Sequence, residues 1–555
     1  RLKVVLVAKC PLRFSRRLSR APWGTGTVTH FDTSKSCISE TAAASTRVPS
    51  MGIRAASALL GLLLLQAIGC QDDGGNARDG ALSVPVAAEV ASVPTRNDAR
   101  PTIILAVLDT TRADAISAYG NVEGTTPNVD ALAATGARFE YAFAPSPWTV
   151  SSHASMFSGL RVDEHGVGLD GVYRVSDDVA MLAEALRAEG YETAGFAENA
   201  LVSPEFGFDQ GFDHYEVTNM ADVVRAEQAG DSSMRFFGLA ARVAAWQRTR
   251  DSSKPAFVFV NIMDAHDPYS VRAENPWVPA ETPRDQLKAV VKRHPIPSAI
   301  CRSVPSSRDA ELLSGLYLGD VHAADAKLGR VLAALRAGSR GESQITVVTA
   351  DHGEHLGEHD LMGHRFSVRT PALHIPLVVN GAPDLDVGPI AAAVELRSLR
   401  ASILCWAVGA ECGASIARAA AEQTPEPIFS IWSDRSTELA EPVRRQLGLP
   451  DHVPVVDQSR GNCGPNDPVY GELVSMIRYP HKLHWGGGEV QGLFDLSWDP
   501  LEKTDQLLRQ RESAESLTAE LEAFVTENVL NRTTVLPTDL SEEAARALKA
   551  LGYVD

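Results

Sequence analysis

The chain has 555 residues, 44% of them apolar and 22% charged, with a net charge of −18. This is ordinary globular composition, and the length predicts one large or two ordinary domains. Residues 1–69 carry ten Lys and Arg against Asp32 and Glu40, so taking that excess of eight from −18 leaves about −26 on the remainder. A surface so acidic repels nucleic acid and excludes it as a partner, and an anionic substrate must be gathered by a local positive site, most simply a metal ion.

Met51 opens MGIRAASALLGLLLLQAIGC, in which Arg54 precedes an apolar run, small residues and Cys70. This is the layout of a secretory signal over residues 51–69, with a run short for a bilayer span. Residues 1–50 are then expected to lie upstream of the true start. The segment AIGC resembles a bacterial lipoprotein box with Cys70 as the lipidated residue, which predicts export to the bacterial cell envelope and a membrane anchor. Residues 70–100 are polar and broken by Gly and Pro, and read as a flexible tether. Of seven cysteines, Cys10 and Cys37 fall upstream and Cys70 is the anchor. Cys301, Cys405, Cys412 and Cys463 remain, with Cys405 and Cys412 the expected local disulfide. None has the C-x-x-C spacing of a cysteine zinc site.

From Pro101 the pattern changes. TIILAVLD is an apolar, β-branched run ending in Asp109 and predicts a buried strand. TPNVDALAATGARF predicts a helix with Pro near its start and Gly near its end. MLAEALRAEGYETAGFAE predicts a helix, a Gly stop and a strand. PAFVFVNIMD is another buried strand, ending in Asp264. GLYLGDVHAADAKLGRVLAALRAG is a long amphipathic helix, and QITVVTADHG a further strand, followed by Asp351. The alternation predicts an α/β fold with a mainly parallel sheet over residues 101–385, with sites at the carboxyl ends of its strands, where Asp109, Asp264 and Asp351 point to a shared metal site. Beyond residue 385 the hairpin-like runs of VSMIRYPHKLHWGGGEVQGLFDLSWDP predict a smaller C-terminal α+β subdomain, residues 386–555, closed by a short helix in SEEAARALKALGYVD.

The densest chemical cluster is TADHGEHLGEHDLMGH, residues 349–364, which holds four of the fifteen histidines. Asp351 and His352 follow a strand directly, and carboxylate plus imidazole suits a borderline divalent metal. Glu354, His355, Glu358 and His359 raise a weaker second-metal reading. Together with ILAVLDTTRADAISAYG, TPNVDALAATGARFEYAFAPSPWTVSSHASMFSG, NIMDAHDPY and LFDLSWDPLEKTDQL, this block resembles the sulfatase family of the alkaline phosphatase superfamily from about Thr102 to Leu507. The resemblance implies an α/β sandwich with a central mixed sheet flanked by helices, and a metal-dependent hydrolase or transferase of sulfate or phosphate esters.

Residue by residue, the resemblance places one divalent metal ion (Ca, Mn or Zn) on Asp109, Thr149, Asp351 and His352, and Thr110 stands where the family has a second acid. His266 matches the histidine at the ester or leaving-group oxygen. His364 replaces a lysine that grips the anionic group, and His153 an arginine that supports the nucleophile. Counting back ten residues from Gly159 puts Thr149 at the formylglycine position. Oxidation of threonine at its β-carbon gives a ketone, so formylglycine is not expected and the hydroxyl must act directly. Ser151 and Ser152 read as helix-start caps, and Trp148 as a packing residue. The alternatives are a phosphotransferase acting on envelope lipid or glycan headgroups, and a catalytically silent binding protein of the same fold.

Overall fold

The computed structural model describes residues 100–120, 124–169, 172–218, 233–294, 305–339, 343–422, 426–433 and 472–531. The signal segment, the tether to residue 99, Cys70, Cys301, Cys463 and the closing helix expected at residues 541–555 lie outside them. Among the described residues no helix is long and apolar enough to cross a membrane.

The centre is a nine-stranded mixed sheet. In chain order its strands are β1 (Thr102–Leu108), β2 (Ala137–Phe143), β3 (Glu192–Ala197), β4 (His214–Val217), β5 (Ala256–Ile262) and β6 (Gln344–Thr349). A short ribbon of β7 (His355–Leu356) and β8 (Met362–Gly363) intervenes, and β9 (His374–Ile375), β10 (Leu377–Asn380) and β11 (Gly388–Glu395) complete the sheet. Across it the order is β11-β2-β10-β6-β1-β5-β3-β4, with β9 paired to β2. The run from β6 to β4 is parallel, and β10 is antiparallel to both its neighbours.

A parallel sheet with both faces covered needs strands apolar on both sides. β1 shows why TIILAVL meets that need. Ile103, Leu105 and Val107 point into one core, while Ile104, Ala106 and Leu108 point into the other, as the two-residue period of a strand dictates. The first core is filled from helices Thr149–Ser158, Leu182–Ala188 and Ser398–Val408; the second from Pro127–Ala133, Ser233–Thr249 and the long helix Ser307–Gly338. The α/β architecture read from the alternation is therefore the one observed. One segment divides differently. TPNVDALAATGARF is helical only over Pro127–Ala133, and its last residues open β2, because the buried Ala137 and Phe139 alternate with the half-buried, paired Arg138 and Glu140, the two-residue period of a strand.

A separate four-stranded antiparallel sheet is formed by β12 (Ile428–Ser433), β13 (Glu472–Arg478), β14 (His481–Gly486) and β15 (Glu489–Asp495). Helix Arg511–Phe524 packs on it. The strand that follows residue 385, β11, belongs to the large sheet, paired in parallel with β2. Glu502 joins the two sheets. Its buried carboxylate accepts from Lys482 Nζ at 2.7 Å and the Thr370 backbone N–H at 2.8 Å, and His484 Nε2 lies 2.9 Å away. Cys405 and Cys412 form the disulfide expected from their spacing.

Candidate active site

β6, β1 and β5 are neighbours, so the residues after each meet at one end of the sheet. Asp109 follows β1 and is fully buried. Its Oδ2 accepts from Asn199 Nδ2 at 2.8 Å and Asn261 Nδ2 at 3.0 Å, while Oδ1 has no partner. Asp351 follows β6 and is also fully buried. Its Oδ1 accepts from the backbone N–H groups of Thr110 at 3.1 Å and His352 at 2.9 Å, while Oδ2 has no hydrogen bond. Burial pushes both carboxyls up; Asp351 adds to the effect on Asp109 by like-charge repulsion.

The third donor is His352. Its Nδ1 lies 3.0 Å from the Gly353 carbonyl, which can only accept, so Nδ1 carries the proton and Nε2 presents a lone pair. Burial lowers its pKa to about 4, which keeps the ring neutral. Ligand atoms of Asp109, Asp351 and His352 lie within 4.8 Å of one another. Two orphaned carboxylate oxygens and an imidazole lone pair, all buried, fit one divalent cation, since burying uncompensated acceptors together is otherwise costly.

Thr149 Oγ1 is 3.2 Å from His352 Nε2. It is the first residue of helix Thr149–Ser158, all ten residues of which are buried. Gly159 ends the helix in the left-handed region, φ 75°, its N–H donating to Ser155 O at 2.8 Å. Phe157 anchors the helix edge-on to Phe259 of β5, with ring centroids 4.9 Å apart, a contact of about 0.5–1.5 kcal/mol. The hydroxyl is thus held rigidly at a helix N-terminus, where the macrodipole favours negative charge.

A Sulfatase family model matches residues 101–409. The chain belongs to the sulfatase family. It is 23% identical over 313 residues to an uncharacterized sulfatase of Escherichia coli (strain K12), covering 50% of this chain and 62% of that protein. It is 25% identical over 306 residues to an ulvan-active sulfatase of Formosa agariphila, covering 52% and 57%. The chain spans about 60% of the length of these curated relatives. Among solved structures it resembles the phosphonate monoester hydrolase of Agrobacterium radiobacter, with a TM-score of 0.58 at 20% identity over 78% of this chain and 96% of that one. That likeness is one of fold.

Around the sulfatase-type centre stand three more histidines. His364 stacks on His352, centroids 4.2 Å apart, and its Nδ1 donates to Pro147 O at 2.7 Å. Burial, then His352 and His266, holds it well below the ordinary histidine range, so it meets a ligand as a neutral ring rather than as a lysine-like cation. The His266 ring is 5.5 Å from that of His364. Burial would lower its pKa, but Asp267 and Asp109 outweigh that and raise it; Nδ1 donates to Asp267 O at 2.7 Å and Nε2 has no partner. His153 sits one turn into the Thr149 helix, edge-on to Phe208 and Phe259. Its Nδ1 donates to Thr149 O at 2.9 Å and is 3.6 Å from Asp351 Oδ2. It touches the helix turn that carries the hydroxyl.

The structure corrects several readings of single residues. Ser151 and Ser152 are not caps: Trp148 occupies the N-cap position, and the two hydroxyls donate to Val167 O at 2.9 Å and Asp351 O at 2.7 Å. Asp264, at the carboxyl end of β5, does not join the metal group. It pairs with Lys327, which also holds Glu198 at 2.7 Å, because a cation on the long helix competes for it. Glu354, His355, Glu358 and His359 do not converge. Glu354 accepts from Tyr269 OH at 2.6 Å, His355 contacts Ser367 Oγ at 2.8 Å, Glu358 pairs with Arg112 at 2.7 Å and His359 donates to Leu501 O at 2.7 Å. Among the described residues Asp109, Asp351 and His352 form the one such metal group. Trp148 packs in the core, edge-on to Tyr173, as expected.

Thr110 contributes through its backbone. It adopts φ 54°, a conformation rare for a β-branched residue, which turns its N–H to Asp351. Tyr317 OH braces it by donating to Thr110 O at 2.9 Å. Asn199 and Asn261, the donors to Asp109, went unseen in the sequence. Asn261 has one signal, a lone polar residue near the carboxyl end of an apolar strand.

Proposed function

We propose that the protein is an exported, lipid-anchored, metal-dependent hydrolase of sulfuric or phosphoric esters, with Thr149 as nucleophile. The observation that carries this reading is the Thr149 hydroxyl at 3.2 Å from His352 Nε2, on a buried helix N-terminus beside two partnerless carboxylate oxygens. Asp109, Asp351 and His352, with Thr149 itself, would hold one divalent cation. Bound there, it supplies charge neutralisation for the ester and a lowered pKa for the hydroxyl.

Thr149, its hydroxyl proton released to solvent, attacks sulfur or phosphorus through Oγ; the bond from that atom to the ester oxygen breaks, and the ester oxygen departs as an alcohol. His266, whose pKa the neighbouring Asp267 raises, is placed to give that oxygen its proton from Nε2. His153 fixes the turn that carries Thr149, and the neutral His364 buttresses His352 by stacking on its ring. Water then cleaves the covalent ester at sulfur or phosphorus and restores Thr149. A formylglycine hydrate can instead expel sulfate with its second hydroxyl, an exit that threonine lacks. Phosphorus esters suit the threonine site better for that reason.

The test is turnover of aryl sulfate, phosphate monoester, phosphate diester and phosphonate substrates with Mg, Ca, Mn or Zn. Quenched enzyme should carry a phosphoryl or sulfuryl adduct on Thr149 by mass spectrometry. No turnover together with no bound metal refutes the enzyme, and full activity in Thr149→Ala refutes the nucleophile. For the anchor, a Cys70→Ala protein should leave the membrane fraction; retention there refutes lipidation.

A further inference from the structure

His266 stands on a stretch of chain that local structure does not hold. Residues 263–283 contain no helix or strand, so the placing of the ring depends on tertiary contacts at its two flanks. Both flanks meet the long helix Ser307–Gly338. On the near side, Lys327 pairs with Asp264 and donates from Nζ to Glu198 Oε1 at 2.8 Å and Oε2 at 2.7 Å. Glu198 Oε2 in turn accepts from the Met263 N–H at 3.2 Å. On the far side, Asp320 Oδ2 accepts from the Ser270 N–H at 2.6 Å, and its Oδ1 accepts from Arg272 Nε at 2.7 Å. Tyr317 adds an edge-on contact to Tyr269, with ring centroids 5.8 Å apart. The order Tyr317, Asp320, Lys327 follows helical spacing, which puts all three on one side of the helix, with Asp320 and Lys327 about 10 Å apart along its axis.

Asp320 and Lys327 are both buried. A buried ion pair is a poor source of stability beside well-packed apolar residues, but losing one member strands the charge of the other, so the pairing fixes where its partners can sit. What these two residues fix is the segment that carries His266. Its Nε2 has no partner, so nothing beyond the segment itself aims that atom. A proton donor displaced by about 1 Å loses on the order of 10²-fold in rate, and a donor on a loop keeps its aim only through supporting contacts. We propose that Asp320 and Lys327 are positioning residues for His266: the long helix clamps the 264–272 segment at both ends and so aims Nε2 at the departing oxygen. Neither side chain touches the substrate. The proposal rests on the acid role given to His266 above.

Leaving-group dependence tests the clamp, with phenyl and nitrophenyl esters of whichever class is turned over, sulfate or phosphate, at saturating metal. An acid at the departing oxygen matters for the phenyl ester and little for the nitrophenyl ester. Lys327→Met and Asp320→Asn should each lower kcat for the phenyl ester about tenfold relative to the nitrophenyl ester, with KM changed less than about twofold. Leu335→Ala truncates a buried side chain of the same helix, about two turns beyond Lys327. It should lower the denaturation midpoint and leave that ratio unchanged. An equal loss on both esters, or an equal fall of the ratio in Leu335→Ala, overturns the clamp. Asp320→Asn keeps the shape of the side chain, and decides the matter if Lys327→Met does not fold. Inactivity of the unaltered enzyme, or a His266→Ala variant that loses equally on both esters, refutes the hydrolase or the acid role instead. The clamp is then decided by NMR of the full chain labelled at histidine Cε1, the His266 signal being the one lost in His266→Ala. A signal shifted or broadened in Lys327→Met and Asp320→Asn but not in Leu335→Ala supports the clamp, and an unchanged signal overturns it.

Discussion

Asn261 is a sharp place to test the metal centre, because it acts on the site without touching the reacting atoms. Its Nδ2 donates to Asp109 Oδ2 at 3.0 Å and its Oδ1 accepts from the Asn199 N–H at 2.9 Å. Asn261→Leu keeps the volume and removes both. A hydrogen bond to a charged group contributes about 1.5–3 kcal/mol, and an orphaned buried N–H costs about 1–3 kcal/mol. The Glu198 N–H adds little, since it also reaches the Asn261 backbone carbonyl at 3.3 Å. The variant should therefore lose roughly 3–5 kcal/mol of stability, read as the denaturant midpoint of the metal-free protein. Asp109 would keep one anchor, from Asn199, and swing more freely. Loss of such a partner behind a metal ligand typically costs 10–100-fold in metal affinity. Metal titration by calorimetry should show that loss, with kcat recovering at saturating metal. An affinity within twofold of the unaltered protein would refute the placement of the metal on Asp109.

Chelation should abolish turnover and lower the denaturation midpoint, since a cation at 100 times its Kd adds about 2.7 kcal/mol; a chelated enzyme that keeps its rate contradicts the metal-dependent reading. His266→Ala should cut kcat about 10²–10⁴-fold for poor leaving groups and far less for nitrophenyl esters, which need no proton; a uniform loss would remove His266 from the acid role. Glu502 predicts the acid limb of stability. Burial raises its pKa, but Lys482, His484 and Arg369 outweigh that and hold it well below 4.5. A depressed folded pKa means stability that is present above the unfolded value and lost as pH falls through the folded one. Glu502→Gln should be less stable at pH 7 and show a flatter loss below about pH 4.5 in pH-dependent denaturation; an acid limb as steep as that of the unaltered protein would refute the role.

Much of the centre could be read from the chain because its members follow strands directly. Asp109, Asp351 and His352 stand within three residues of β1 and β6, and a buried parallel strand declares itself as an uninterrupted apolar run. The residue after such a run must lie at the carboxyl end of the sheet, wherever the rest of the chain goes. Thr149 was placed through the sulfatase resemblance by its spacing to Gly159, and in the structure the two are the first residue of a ten-residue helix and its left-handed stop.

What the sequence left open depends on contacts between segments far apart in the chain. Asp264 has the same local signature as Asp109 and Asp351, yet Lys327 takes it, and the competition is decided by how helix Ser307–Gly338 crosses the sheet. Asn199 and Asn261 look like ordinary polar residues until β3, β5 and β1 are laid side by side. Ser151 and Ser152 have the composition of caps but are drawn to carbonyls of Val167 and Asp351 across the core. The sequence by itself determined which candidate side chains stand at strand ends and at a helix start, since strand and helix periods are local. Only the tertiary structure decided which charges are paired and which are left to a metal or a substrate, because pairing is settled by proximity in space.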